Sequence, residues 1–589
     1  MPFDLHDCLL PDGKLCAELD LYVRLRGRAN YAFSERRLYL DVGGSARFNT
    51  YFGAFSLHKW QRYTDLKQLR LGLHMDGEVL LRVWGVNGQG GEALVKEWRT
   101  TGAAASDGFL ISDDLSAMPY ASLYVEIVAL APTQVNAVSF STDQEASRTV
   151  GLSIVITTFN RFDDIAATAL RLADFLEQAN HRGARISAFI INNGDAIDVR
   201  ETDYLTVLEN RNLGGAGGFA RGLSEVRALP GFTHCLFMDD DAACEVTALE
   251  RAHAFLSYSR DAALSIAGAM LKKEKTFVQH EAGAAFDGLV RPLHNGRDLR
   301  DYTQVLGNEE PVHINYGAWW FFLFPISQVH RFPFPFFVRG DDIEFSLSHD
   351  FRIITLNGVA TWQEDFAAKS GPMVTYLSTR STLVTALLHG GWGRVMLWFA
   401  ASAMKSAFGL CYDRTMAQCQ AAKDVLAGPT FWAEHIDLSE RRARLKENTR
   451  YEHPVGEGAE RFLDDFQFHA DEGRLTRLFR MLTLNGHLLP ACLFKRVDTV
   501  SVDFALSPFT RVAFLRRAVL YKSGGRPIFL ARHDKRYFFT VAWRSARLWA
   551  ALILQAPHLR RAYRRAHGDL TSEVFWKHQF GESANEKGV

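Results

Sequence analysis

The sequence predicts a mixed α/β protein in three parts: an N-terminal antiparallel β-sandwich, a central sheet of parallel strands, and a C-terminal helical region. Three patterns lead there. Residues 1–148 carry short runs of alternating apolar and polar side chains, separated by Gly, Asp and Asn. From residue 150, unbroken apolar runs take turns with segments of helical period. Beyond about residue 375 the apolar spacing is three to four residues. Period two marks half-buried strands, unbroken runs mark fully buried ones, and period 3.6 marks helices. The expected boundaries are 1–148, 149–390 and 391–589. A chain of 589 residues is long enough for several cores, at roughly 100–200 residues each.

In the first part, "LYVRLRG", "RRLYLDV", "QLRLGLHM", "EVLLRVWGV" and "SLYVEIVAL" alternate at hairpin spacing. That is the pattern of two packed antiparallel sheets. In the second, "GLSIVITTFNR", "ISAFIINNGD" and "HCLFMDDD" read as buried strands. "IAATALRLADFLEQA" and "GGFARGLSEVRAL" between them read as helices. Strand and helix in turn give a parallel sheet, whose ligands bind beyond the carboxyl ends of the strands. The polar clusters "TTFNR", "NNGD" and "DDD" fall at those ends. In the third part, "TYLSTRSTLVTALLHG", "GRVMLWFAASAMKSAFGL" and "TMAQCQAAKDVLAG" have helical spacing.

Composition sets the class. The chain is 47% hydrophobic and 23% charged, with formal net charge zero, so no partner follows from overall charge. Seven cysteines at 8, 16, 235, 244, 411, 419 and 492 contain no C-x-x-C pair, which fits a reducing compartment. The start "MPFDLHDCLLPDGK" lacks the basic and apolar regions of a signal peptide, and no apolar run reaches 18 residues. A cytoplasmic protein is expected, with any membrane contact at the surface.

Several motifs carry chemistry, each beside a plainer reading. Asp239 and Asp241 share one side of an extended strand end and Asp240 points away. Paired carboxylates are costly unless a cation offsets them, and oxygen-rich sites suit Mg²⁺ or Mn²⁺. A solvated acidic turn is the plainer alternative. "NLGGAGGFARG" either cradles a phosphate at a helix start or makes a tight strand–helix turn. It matches neither a P-loop nor a dinucleotide fingerprint. Adjacent Trp319 and Trp320 should face opposite ways in a strand, one into the core and one toward a cleft. In "GDDIEF", Asp341, Asp342 and Glu344 open a helix; one Asp caps it and the other is a candidate general base. Gln363, Glu364 and Asp365 follow in "NGVATWQEDF", where histidine would be a stronger metal signal than glutamine.

Residues 511–565 carry Arg or Lys at 14 positions against one acid, Asp534, with Trp, Tyr, Phe and Leu interleaved. A basic amphipathic helix on an anionic membrane surface fits. A solvated helical face is the plainer reading, and no nucleic-acid module is recognisable.

Taken in order, "TTFNR", "NLGGAGGF", "FMDDD", "WW", "GDDIEF" and "TW" resemble a GT-A glycosyltransferase. More closely, they resemble the mycobacterial-type galactofuranosyltransferases that polymerise cell-wall galactan. "FNTYFGAFSLHKWQRYT", residues 48–64, is similar to that family's N-terminal sandwich. The resemblance implies a Rossmann-like GT-A domain, a UDP-galactofuranose donor, Mn²⁺ or Mg²⁺, inversion at the anomeric carbon, and a glycan acceptor, lipid-linked at the inner face of the membrane. By motif, Thr158, Phe159, Arg161, Asn193, Asn212 and Asp240 would contact the donor, and Asp239 and Asp241 the metal. Trp319, Trp320 and Glu281 would meet the acceptor, and Asp342, beside Asp341, would be the base. The family has Trp-His where this chain has Trp362-Gln363, so Gln363 or Glu364 would stand in for a metal-ligating histidine. A homo-oligomer is compatible with the resemblance; nucleic acid is not an expected partner.

Overall fold

All eight residues of Gly151–Thr158 are buried, and they form a middle strand of a seven-stranded sheet. The computed structural model describes residues 3–102, 108–364, 371–451, 473–494, 498–501, 508–521 and 527–581, so Asp365 lies outside the described residues. Across this sheet the order is Leu205–Glu209, Arg185–Asn192, Gly151–Thr158, His234–Asp239, Phe322–Pro325, Leu264–Ala267, Arg352–Ile354. Phe322–Pro325 runs antiparallel to both neighbours, and the other pairs are parallel. The chain is therefore mixed α/β. Gly151–Thr158 pairs with Arg185–Asn192 on one side and His234–Asp239 on the other, so chain direction across the sheet reverses there. The register sets Thr157 beside Asp239 and Thr158 beside Asn192, which gathers the polar strand ends along one edge.

A second, four-stranded sheet continues from that edge, in the order Ala243–Cys244, Ala360–Gln363, Ala269–Lys272, Lys275–Glu281. Ala243 pairs with Trp362, which delivers Gln363 beside the aspartate triplet.

Residues Phe3–Thr142 hold two antiparallel sheets, of six and five strands. Their alternating inward residues, among them Leu38, Leu71, Val79, Leu81, Leu123 and Ile127, are buried and share one apolar cluster with the central sheet. The seam is also polar. Lys59 Nζ donates to the carbonyls of Asn308 and Thr355, both at 2.8 Å, and lies 3.9 Å from Glu309. Arg251 donates to the carbonyls of Asp7, Phe52 and Asn357 at 2.8–2.9 Å. A buried cation with carbonyl partners holds its charge only in that one arrangement, because an unpaired buried charge is costly. The Phe52 ring sits 5.8 Å from Trp362, next to Gln363.

Toward the C-terminus, helices Pro372–His389, Trp392–Phe408, Tyr412–Leu426 and Lys535–Leu570 pack around Leu383, Leu387, Phe399, Trp432, Leu559 and Tyr563. One cluster thus runs across residue 390. The basic region departs from the single amphipathic helix expected of it. Arg517–Tyr521 and Pro527–Arg532 are strands paired with each other, and Arg517–Tyr521 also pairs with Asp498–Ser501. Only from Lys535 does the chain turn helical, because "RAVLY" and "PIFLAR" have strand rather than helix period. The long helix spends most of its apolar stripe (Phe538, Val541, Leu552, Leu559, Tyr563) on the core. Among the described residues, no helix is long and apolar enough to cross a membrane.

Candidate active site

The site forms where the two sheets meet. Asp239 ends its strand, and Asp240 and Asp241 follow in a turn. Gln363 Nε2 donates to Asp241 Oδ1 at 3.1 Å and reaches Asp239 Oδ2 at 3.4 Å. Arg161 Nη1 lies 3.0 Å from Asp241 Oδ2, and its Nε lies 3.7 Å from Asp240 Oδ1. Gln363 thus joins Asp239 and Asp241, while Arg161 joins Asp241 and the buried Asp240, so Asp240 stays in the cluster rather than turning away from it. Burial and the two neighbouring carboxylates push Asp239 up to about 7. Asp240 is pushed up to about 6, by burial working against Thr158 and Arg161. Burial dominates both shifts, and at Asp239 the neighbouring carboxylates add crowding that a cation would relieve.

Facing this triplet is the helix Asp341–Leu347. Its approach is strained: Phe337 and Arg339 have φ of 71° and 69°, and Gly340 has φ of 84°. Left-handed backbone at two non-glycine residues persists only where surrounding structure imposes it. Gly340 occupies the cap position, so neither aspartate does. Asp341 is buried and Asp342 half-buried. Burial pushes Asp342 up to about 6, against the Ile343 N–H and the Arg339 charge, which pull it down. Burial and the Asp342 charge raise Glu281 well above the carboxylate range. Glu281, Tyr316 and Arg339 all feel the charge of Asp342. Tyr316 and Arg339 escaped the sequence reading. The only signal in the chain is their nearness to two motifs, Tyr316 just before Trp319–Trp320 and Arg339 just before Asp341–Asp342.

The glycine run serves packing. A Cβ on Gly214 would lie 2.1 Å from the Phe337 carbonyl oxygen, and Gly214 has φ of 71°. A Cβ on Gly218 or Gly222 would meet Thr157 or Val155 at 2.4 or 2.2 Å, so the helix Gly214–Ala228 lies directly on the central strand. Asn193 and Asn212 brace this loop. Asn193 Nδ2 donates to the Gly214 carbonyl at 3.3 Å, and Asn212 Oδ1 accepts from the Gly214 N–H at 3.1 Å. Thr158 is buried at its strand end, and Phe159 is exposed.

The tryptophan pair differs from expectation, because both are buried. They lie in a turn before the strand Phe322–Pro325, where strand alternation does not apply. Trp319 packs against Phe219, Phe237 and Phe345 at 4.7, 5.0 and 5.7 Å, and Trp320 donates to the Gly268 carbonyl at 3.0 Å. Phe345 belongs to the helix that carries Asp342, so Trp319 buttresses that helix. Glu364 is exposed, and Gln363 is the residue set against the carboxylates.

Among the described residues, no group of three or more His, Cys, Asp or Glu side chains is placed to hold a metal. The set present is two carboxylates and one amide. Exchanging the Gln363 amide O and N, which only the hydrogen-bond pattern assigns, would add a third oxygen donor. Hard oxygen donors of this kind fit Mg²⁺ or Mn²⁺.

No protein-family model matches the chain. Two curated proteins do, both named galactofuranosyltransferase GlfT2. The one from Mycolicibacterium smegmatis is 24% identical over 440 residues, covering 68% of this chain and 67% of that protein. The one from Mycobacterium tuberculosis is 22% identical over 611 residues, covering 95% and 94%. Among solved structures, GalNAc-T7 with UDP, GalNAc and Mn²⁺ gives a TM-score of 0.30 at 10% identity, over 52% of this chain and 56% of that chain. The mannosyltransferase PcManGT from Pyrobaculum calidifontis, with GDP-Man and Mn²⁺, gives 0.27 at 14% identity, over 52% and 83%. Structural likenesses this slight carry no inference. The chain resembles the mycobacterial-type galactofuranosyltransferases along nearly its whole length, and that similarity supports a glycosyltransferase.

Proposed function

We propose that the chain is an inverting glycosyltransferase that moves galactofuranose from UDP-galactofuranose to a hydroxyl of a glycan acceptor. One observation carries this reading: Asp342 lies at a strained helix start facing the Asp239–Asp241–Gln363 cluster. In this reading the base and a cation-held diphosphate would lie on opposite sides of the transferred sugar. Inverting transfer at an anomeric carbon needs that arrangement.

In this reading Asp239, Asp241 and Gln363 would hold a divalent cation, which offsets charge on the departing diphosphate. Arg161 adds fixed positive charge at the same place, already beside Asp240 and Asp241. Thr158, Phe159, Asn193 and Asn212 line the donor end. Asp342 removes the acceptor hydroxyl proton as that oxygen attacks the anomeric carbon. Its raised affinity for protons suits a base working near neutral pH. Glu281 would lie on the acceptor side, with Trp319 supporting it indirectly by packing beneath the helix that carries Asp342. The parts correspond to a sandwich over 1–148, a GT-A domain over 149–390 and a helical region over 391–589. The acceptor is a cell-envelope glycan, lipid-linked and met at the inner face of the membrane, where the basic region 511–565 favours an anionic surface.

A catalytically silent glycan-binding protein is the second reading, favoured by Gln363 where the resembled family has histidine. Incubation with UDP-galactofuranose, Mn²⁺ and a short galactan acceptor tests the proposal. Galactofuranosyl transfer is the expected result. UDP release from a different sugar nucleotide alone would redirect the donor assignment, and glycan binding without UDP release would support the silent protein.

A further inference from the structure

Two chain segments deliver the carboxylate cluster, and one aromatic pair from the sandwich reaches both. Tyr22 and Phe52 are fully buried and stacked, with ring centroids 4.6 Å apart and planes 17° from parallel. The Tyr22 hydroxyl donates to Glu245 Oε1 at 2.7 Å, just beyond Asp241 in the chain. The Phe52 ring meets Trp362, the residue before Gln363, at 5.8 Å. Trp362 is buried, and its indole N–H donates to the Thr276 carbonyl at 3.0 Å. Ala243 and Trp362 lie opposite each other in the ladder that joins the two segments. The aromatic pair is itself tied to the backbone. Thr50 Oγ1 donates to the Tyr22 carbonyl at 2.7 Å and accepts from the Gly53 N–H at 3.1 Å. The Phe52 N–H donates to the Leu21 carbonyl at 3.0 Å. Arg251 donates to the carbonyls of Phe52 and Asn357, both at 2.9 Å, and Asn357 opens the turn that leads into Ala360–Gln363.

We infer that Tyr22 and Phe52 are positioning residues for the cation site, setting how Gln363 stands against Asp239 and Asp241. They act through Glu245 and Trp362, as groups behind metal ligands orient those ligands. A close-packed interior feels a change of even one methylene, so the Phe52 ring fixes where Trp362 and the next residue sit. Without the Tyr22 hydroxyl, Glu245 would be buried and short of a donor, which favours a shift of its segment. The sandwich is then a working part of the site. This inference rests on the reading of Asp239, Asp241 and Gln363 as cation ligands, and it names what holds them in place.

The test is Mn²⁺ titration of the full chain by water-proton relaxation, without sugar nucleotide, with thermal unfolding recorded for each variant. Tyr22→Phe, which keeps the ring, and Phe52→Leu should each bind Mn²⁺ about tenfold more weakly, the low end for groups behind a metal ligand. Leu71→Ala should destabilise the sandwich yet bind Mn²⁺ as the wild type does, because Leu71 belongs to a different apolar cluster from Tyr22 and Phe52. In a Gln363→Ala background, Phe52→Leu should add little further loss, since residues acting through one another are not additive. Wild-type affinity in Tyr22→Phe and Phe52→Leu, beside weakened binding in Gln363→Ala, would overturn this inference alone. So would a loss in Leu71→Ala as large as theirs, or full additivity of Phe52→Leu with Gln363→Ala. Wild-type affinity in Gln363→Ala, or no Mn²⁺ binding by the wild type, would remove the cation reading and this inference with it.

Discussion

Glu344 Oε1 accepts a hydrogen bond from His567 Nε2 at 2.6 Å, across 223 residues of chain. The same oxygen accepts from His389 Nε2 at 3.2 Å and from Ser348 Oγ at 2.6 Å. Glu344 is fully buried two positions after Asp342, so the long C-terminal helix grips the helix that carries the proposed base.

His567→Leu should therefore destabilise the protein by about 2–3 kcal/mol, the scale of a hydrogen bond to a charged group. Urea unfolding measures it. Burial alone would raise Glu344, but its bonds to His389 and His567 outweigh that and hold it below the carboxylate range. A depressed folded-state pKa stabilises above the unfolded value, about 4.3, and the benefit is lost as pH falls below it. The stability gap between wild type and Glu344→Gln should then shrink in acid. A gap constant with pH would contradict the ionised carboxylate.

Asp342→Asn should lower kcat by about 10²–10⁴, the usual contribution of a positioned base, with UDP binding retained. Because the base works deprotonated and Asp342 is pushed up to about 6, kcat/KM should fall as pH drops through about 6. Undiminished turnover by the variant in a coupled UDP-release assay would remove Asp342 from the mechanism.

Gln363→His should tighten Mn²⁺ binding by about 10–100-fold, read by water-proton relaxation or calorimetry. Chelation should abolish transfer in wild type, and restored Mn²⁺ should recover it. An unchanged affinity in Gln363→His would place the cation away from Asp239 and Asp241.

Gly222→Ala should cost about 1–3 kcal/mol by overpacking, since its Cβ would fall 2.2 Å from Val155 Cγ1. Adding Val155→Ala should return part of that loss, because contacting residues couple. Additive losses in chemical denaturation would show that the close approach of helix and strand is not what Gly222 permits.

Much of the central sheet is legible in the chain itself. "GLSIVITT", "ISAFIIN" and "HCLFMD" are strands as their unbroken apolar runs indicate, and the acids "DDD" and "GDD" stand at element ends. The helix after the glycine run was expected from Gly217, but it begins at Gly214, inside the glycines, because packing on Val155 and Thr157 outweighs glycine's poor helix propensity. Trp319 and Trp320 depart from the strand expectation for a related reason. Alternation assumes a strand, and they occupy a turn whose shape depends on Phe219 and Phe345, far away in sequence.

By itself the sequence determined where most strands and helices of the central sheet lie and which strand ends are acidic, because hydrophobic period is a local property of consecutive residues. Tertiary structure alone decided that Gln363 meets Asp239 and Asp241 and that Glu344 is held by His389 and His567. Each of these depends on strand order, register or helix packing between segments distant in the chain. Such contacts form only when burial of the whole core offsets the entropy of bringing those segments together.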